Sequence, residues 1–228
     1  DAAHELRTPI AVLRGRAEIS LQRPREAAAY IEALQGIEEE SGRLGRIVDD
    51  LFTLARADAG ERRIQHARVY LDDVTADAVG AARALAAGRG VKMTMTEYEE
   101  AVVNGDAALL RQLLMILLDN AIKYTPPGGE VRVRVAASIS GAVLSVEDTG
   151  VGMDAAQLPH VFERFWRGDP ARTRLGRDAH LTEGAGLGLP IARWIADAHG
   201  AAIHIESPPG RGLCVTVRFP AAPPVNRT

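Results

Sequence analysis

Residues 4 to 9 read HELRTP, and three of these residues are types that can do chemistry together. An imidazole with one unprotonated nitrogen is a nucleophile, and a neighbouring carboxylate can hold the other ring nitrogen protonated and serve as general base. His4 is therefore the candidate nucleophile and Glu5 its candidate base. Thr8 falls one helical turn from His4 on the same face, where its hydroxyl can orient a water or an incoming group. Pro9 lacks an N–H and its ring crowds the carbonyl of Glu5, so a bend is expected just after the histidine. Taken alone the string is weak, because an exposed histidine on an amphipathic helix is more often ordinary solvated surface.

A nucleophilic histidine needs a phosphoryl donor, and the second half of the chain holds four strings suited to binding one. The first is LLDNAIKYTP, residues 117 to 126. Leu110, Leu113, Leu114, Leu117, Leu118 and Ala121 form an apolar helical stripe, which turns Asn120 and Lys123 toward another face. The amide oxygen of Asn120 suits a hard cation such as magnesium, and the ammonium of Lys123 suits a phosphate. The chain has 25 arginines and only two lysines, so a point-charge cation at Lys123 stands out from the usual polar helix end. The second string is VEDTGVGM, an alternating strand ending in Asp148, Gly150 and Gly152. A carboxylate there can accept from an exocyclic amine of the kind adenine presents, while glycines let backbone approach a base. The third is FERFWRGD, residues 162 to 169, followed by a polar stretch with Arg172, Arg174 and Arg177 that reads as a lid on aromatic anchors. The fourth is GAGLGL, residues 184 to 189, which opens a helix running through Pro190 to His199 and can present backbone N–H groups to phosphates. A glycine string by itself is a common accident; the order and spacing of the four together are specific.

With these motifs in view the sequence resembles a sensor histidine kinase from His4 to about Pro220. The resemblance implies that His4 is the phosphoacceptor, that Glu5 acts as base, and that Thr8 assists dephosphorylation of the partner. It implies ATP and magnesium as ligands. Asn120 would be the magnesium ligand, Lys123 and Tyr124 nucleotide contacts, and Asp148 the adenine-specifying acid beside Gly150 and Gly152. Arg167 would be a phosphate contact from the lid, and Gly184, Gly186, Leu187 and Gly188 would form the turn facing the nucleotide. The implied reaction is autophosphorylation of His4 and transfer to an aspartate of a response regulator receiver domain. Several positions depart from the family pattern. Ile116 stands where a second asparagine is frequent, and its apolar register suggests simple packing. Ala185 replaces a glycine or threonine, and Leu213 replaces a small hydroxyl residue. Cys214, the lone cysteine, is expected to be a small core residue.

Composition fits an intracellular protein of two domains. With 228 residues, 46% hydrophobic content and net charge −3, the chain can bury a sizeable core and has no bulk attraction to nucleic acid or anionic membrane. One cysteine excludes an intrachain disulfide. No apolar stretch reaches the roughly 18 residues that span a bilayer, and no signal peptide is visible. Because the chain opens almost on the histidine string, it is expected to be the cytoplasmic portion of a longer protein. Any sensor or inner-membrane anchor would lie upstream.

The elements that must position these residues are a helical hairpin and a mixed α+β unit. A turn around Pro24 separates a first helix, with Leu6, Ile10, Leu13 and Ala17, from a second running from about Glu26 to Asp58. In the second, Leu34, Ile37, Ser41, Leu44, Val48, Leu51 and Ala55 recur at spacings of three and four, a heptad seam. Two such helices cannot cover their own stripes, so a homodimer forming a four-helix bundle is expected. Residues 1–60 would form this dimerisation and phosphoacceptor domain, 61–66 a linker, 67–220 the catalytic ATP-binding domain, and 221–228 a disordered tail. A helix is expected near Asp72 to Ala87. Strands are expected near Val91 to Thr96, Val131 to Ala136, Val143 to Val146, Ile203 to Glu206 and Cys214 to Phe219, giving a sandwich of one mixed sheet with helices on one face. Two other readings share parts of this pattern: an ATP-driven clamp related to mismatch-repair and topoisomerase ATPases, and a dimeric interaction module without kinase activity. The HELRTP string disfavours the first, and intact Asn120, Asp148 and glycine turns disfavour the second.

Overall fold

The computed structural model of the protein describes residues 2–60, 64–168, 184–208 and 210–222, with only the helical backbone at residues 2, 4 and 5. Helix α1, Ala2–Leu21, continues unbroken through a buried Pro9. Helix α2, Ala27–Asp58, begins where the carbonyl of Glu26 accepts from Ala29 N and Tyr30 N, and it ends at Gly60, whose φ of 65° few side chains tolerate. The two helices lie against each other as a hairpin. Gly36 is buried where they cross, and a Cβ there would collide with the guanidinium of Arg16. Ile47 and Leu54 are the innermost apolar positions of α2, while Leu34 of the expected seam is 64% exposed.

The rest of the chain is built on a five-stranded mixed sheet in the order β2-β4-β5-β7-β6. Its strands are β2 (Lys92–Tyr98), β4 (Glu130–Ser138), β5 (Gly141–Asp148), β6 (Ala202–Glu206) and β7 (Cys214–Pro220). The β2–β4 pair is parallel and the others are antiparallel. Three helices pack with it: α3 (Leu71–Gly88), α4 (Ala107–Tyr124) and α5 (Gly188–Ala198). Strict alternation explains the burial. Val131, Val133 and Val135, then Ala142, Leu144 and Val146, then Val215, Val217 and Phe219 all enter the core, where the six leucines from Leu109 to Leu118 of α4 meet them. The α+β class and the one-sided sheet therefore agree with the sequence reading.

Two differences have physical causes. A second, two-stranded antiparallel sheet joins β1 (Ala67–Tyr70) to β3 (Val102–Gly105), and four-residue strands are too short to show a two-residue period in sequence. Cys214 is not a core residue. The register of β7 places it with Thr216 and Arg218 on the face away from the helices, half-buried, its Sγ 3.9 Å from Thr216 Oγ1. Part of the linker, residues 61–63, and most of the expected C-terminal tail lie outside the described residues.

Candidate nucleotide and phosphoacceptor site

Helix α4 starts on Asp106, whose carboxylate accepts from Ala108 N (3.0 Å) and Leu109 N (3.2 Å), and so carries a fixed origin for everything mounted along it. Its apolar stripe locks the helix into the core, leaving Asn120 and Lys123 half-buried on the side that meets the glycine-rich turn. The pairing is direct. A Cβ on Gly184 would lie 3.1 Å from Lys123 Nζ, and one on Gly188 would lie 3.2 Å from Ile116 and 3.9 Å from the Asn120 amide nitrogen. Ile116 therefore packs, as its register suggests. Burial draws the Lys123 ammonium down to about 8, opposed by the Asp119 carboxylate and reinforced by the charge of Arg167. Lys123 Nζ also stands 5.0 Å over the ring of Tyr124.

Asp148 ends β5 inside the protein, 4% exposed. Its Oδ1 accepts from Gly150 N at 2.8 Å and Leu213 N at 3.3 Å. Burial nevertheless pushes the carboxyl up to about 6, with those two N–H bonds holding it lower than burial alone would. The glycines around it are required by contact: a Cβ on Gly150 would strike Tyr124 O at 2.4 Å, and one on Gly212 would strike Asp148 O at 2.0 Å. Gly152 has φ 64° and lies against Ser207, whose hydroxyl accepts from Met153 N and donates to Gly212 O.

The aromatic segment closes the arrangement. Phe165 has φ 63°, and its N–H donates to Gly186 O at 3.0 Å. Gly186, at φ 70°, has no room for a side chain against Phe165 and Trp166. Ala185 and Leu187 turn into the core. His160 is stacked 6.4 Å from Trp166 and bonded to Glu163, and Arg164 crosses to Asp58 at the end of α2 at 2.7 Å. Together with Ile47 and Leu54, which join the same apolar cluster as the α/β unit, this contact lays the hairpin against the site. Residues 169–183, with Arg172, Arg174 and Arg177 of the expected lid, lie outside the described residues. So do the side chains of His4 and Glu5; Thr8 is exposed on α1.

The structure thus brings four separated strings, around residues 120, 148, 165 and 186, into contact with one another, through Gly184 with Lys123, Gly188 with Asn120, Gly150 with Tyr124 and Phe165 with Gly186. Comparison with known proteins decides what family builds such an arrangement beside a helical hairpin. Residues 105–223 match the family model described as histidine kinase-, DNA gyrase B- and HSP90-like ATPase, and residues 1–60 match the His Kinase A (phospho-acceptor) domain. The chain belongs to the sensor histidine kinases. It is 36% identical over 223 residues to the phosphate regulon sensor protein PhoR of Pseudomonas aeruginosa, covering 97% of this chain and 49% of PhoR. The histidine kinase AdeS of Acinetobacter baumannii is similar in structure, with a TM-score of 0.74, 22% identity, and coverage of 95% of this chain and 97% of that one. Full-length ShkA in complex with AMPPNP aligns with a TM-score of 0.70 and 25% identity over 97% of this chain and 46% of ShkA. The chain spans about half the length of the curated sensor kinases it matches.

Within this kinase chain, sequence reasoning overlooked several residues that hold the site together. Gly212 and Ser207 close around Asp148 without carrying a motif of their own, and Phe165, though inside the FERFWRGD string, acts through its backbone N–H on Gly186. The signal for Gly212 was present, since a GRG string before a strand marks a forced turn. Nothing in the sequence alone marks the left-handed backbone at Phe165.

Proposed function

We propose that this chain is the autophosphorylating core of a sensor histidine kinase, transferring the γ-phosphoryl group of magnesium ATP to a ring nitrogen of His4. The observation that supports the reading is that the helix carrying Asn120, Lys123 and Tyr124 touches both the 184–188 glycine turn and the turn after Asp148, within a chain that also carries HELRTP on a helix. Asp148 accepts from the adenine amine, Lys123 and Arg167 face the phosphates, and Tyr124 borders the base. In the transfer, a ring nitrogen of His4 bonds to phosphorus as the bond to the β-phosphate oxygen breaks. ADP leaves, and Glu5 takes the ring proton. Phosphoryl transfer of this kind asks a protein mainly for positioning and charge neutralisation.

The donor set fits a metal that arrives with its nucleotide. Asn120 offers one amide oxygen, and among the described residues no group of three His, Cys, Asp or Glu could hold a cation unaided. A magnesium ion with few protein ligands completes its shell with phosphate oxygens and water, and it would neutralise charge on the phosphates there. The phosphohistidine then passes its group to an aspartate of a response regulator, and Thr8 assists the later attack of water on that partner's aspartyl phosphate, which releases inorganic phosphate. Two copies pair through the hairpin, a reading supported by Leu21 at 83% exposure alongside open Ile10, Ile31, Leu34 and Phe52. The phosphoacceptor match over residues 1–60 separates this chain from the gyrase and HSP90 members of the ATPase family. No helix among the described residues is long and apolar enough to cross a membrane; attachment to the bacterial inner membrane would come through an upstream segment.

The test is incubation with γ-labelled ATP. Label should enter the protein with magnesium, and disappear with a chelator and in Asn120→Ala. Labelling by Asn120→Ala at the wild-type rate would remove Asn120 from the assignment.

A further inference from the structure

We propose that His199 is a positioning residue: its neutral ring ties the start of α4 to the end of α5, and protonation releases the two helices on which the nucleotide residues are mounted. This rests on the nucleotide reading above and goes beyond the residues of the cleft itself.

Both ring nitrogens are committed. Nδ1 lies 2.7 Å from the carbonyl of Ile195, which can only accept, so Nδ1 carries the proton. Nε2 is then the unprotonated nitrogen, and it accepts the backbone N–H of Asp106 at 3.0 Å. Asp106 is the residue whose carboxylate caps α4. One imidazole therefore connects the last turn of α5 to the first residue of α4. The fit is built into the chain. His199 is 5% exposed, and a Cβ on Gly105 would sit 2.4 Å from its Cδ2, so residue 105 has no room for a side chain while the ring is in place.

From this junction both helices run to the cleft. Asn120 is 14 residues along α4 and Gly188 is 11 back along α5, so the tie sits about 20 Å from the groups it orients. At their far ends the helices touch again through Ile116 and Gly188. A second proton on the ring would point N–H at N–H and break the bond to Asp106. Burial lowers the affinity of His199 for that proton, helped by the neighbouring His66 ring at 6.5 Å and opposed by the Ile195 carbonyl and the Asp106 carboxylate, so the neutral tie holds at neutral pH. His66 and Asp106 are the titratable groups facing it among the described residues. His66 lies between the hairpin and β1, which places the junction next to the segment linking the two domains.

Two readouts test the proposal on the whole chain. The first needs no nucleotide: imidazole ¹⁵N shifts should report a neutral Nδ1–H tautomer at pH 7.5, and the protection of the Asp106 amide, its exchange taken against the intrinsic rate at each pH, should fall on acidification and in His199→Leu. The second is ATP affinity. His199→Leu and Gly105→Ala should each weaken it at least about fivefold at pH 7.5, a usual size for coupling between sites. His199→Gln is the conservative rescue, because its amide oxygen can accept from Asp106 without titrating. It should bind near the wild-type level at pH 7.5 and lose less affinity than wild type between pH 7.5 and 5.5. Parallel losses in wild type and His199→Gln, or unchanged affinity and exchange in His199→Leu, would overturn the proposal. Absence of ATP binding by the wild type would overturn the nucleotide reading instead, and the amide readout would still decide the tie.

Discussion

The helical hairpin and the α/β unit bury their apolar residues in opposite ways. Helix α4 puts Leu109, Leu110, Leu113, Leu114, Leu117 and Leu118 into a core where none is more than 2% exposed, and the sheet and α5 close around them. In the hairpin, Ile47 and Leu54 are covered, while Leu21, Leu34 and Phe52 stand open. A unit that encloses its own core can hold a nucleotide cleft to fixed geometry in one chain. A hairpin whose stripe is still open needs a further surface, and on the reading above that surface is a second copy.

The largest expected effects test this contrast directly. Leu114→Ala should leave a cavity and cost about 2–5 kcal/mol, seen as a fall in denaturation midpoint that does not depend on protein concentration. Leu34→Glu should leave that transition alone and instead shift sedimentation equilibrium toward monomer. A hairpin that stays monomeric in the wild type would break the comparison.

A middle-sized effect comes from the two titrating groups of the cleft. On the proposed function Asp148 must be ionised to accept from adenine and Lys123 protonated to face phosphate, so ATP affinity should follow a bell with limbs near 6 and 8. Lys123→Arg should carry the basic limb beyond the measurable range. The stability signs differ from the binding signs. With its carboxyl raised from 3.8 to about 6, the folded state holds a proton that the unfolded state has lost, so the Asp148 contribution to stability declines as pH rises from about 4 to 6. With its ammonium lowered from 10.5 to about 8, Lys123 makes the folded state gain stability as pH rises from about 8 to 10.5. A thermal-melt series in Asp148→Asn should lack the first trend; its persistence would assign the trend elsewhere.

The smallest effect belongs to the contact between the regions. The Arg164–Asp58 pair is exposed, and such pairs contribute little to stability. Hydrogen bonding to Arg164 holds the Asp58 carboxyl below its usual range. Asp58→Asn should leave the melting temperature unchanged within error while increasing protease cleavage between residues 59 and 66; unaltered cleavage would mean that the hairpin is held by apolar contacts alone.

The parts legible in sequence were those with a period or a punctuating residue. The leucine run of α4 and the valine alternation of β4 and β5 read directly because each repeats over several turns or pleats. The glycines at 150, 152 and 184–188 read because only a few strings juxtapose so many of them. Strands β1 and β3 carry no repeat over four residues. The placement of Cys214 depended on register, where a one-residue shift exchanges the faces of a strand. Gly212 and His199 act on residues dozens of positions away, and that proximity exists only after folding.

On the proposed function, His4 receives the phosphoryl group of an ATP bound beside Asn120, Lys123 and Asp148. The most direct measurement incubates wild type and His4→Gln with γ-labelled ATP and magnesium and compares the acid stability of the incorporated label. Acid-labile label is expected on the wild type and none on His4→Gln. Equal labelling of the two proteins, or ATP hydrolysis with no label on either, would contradict it.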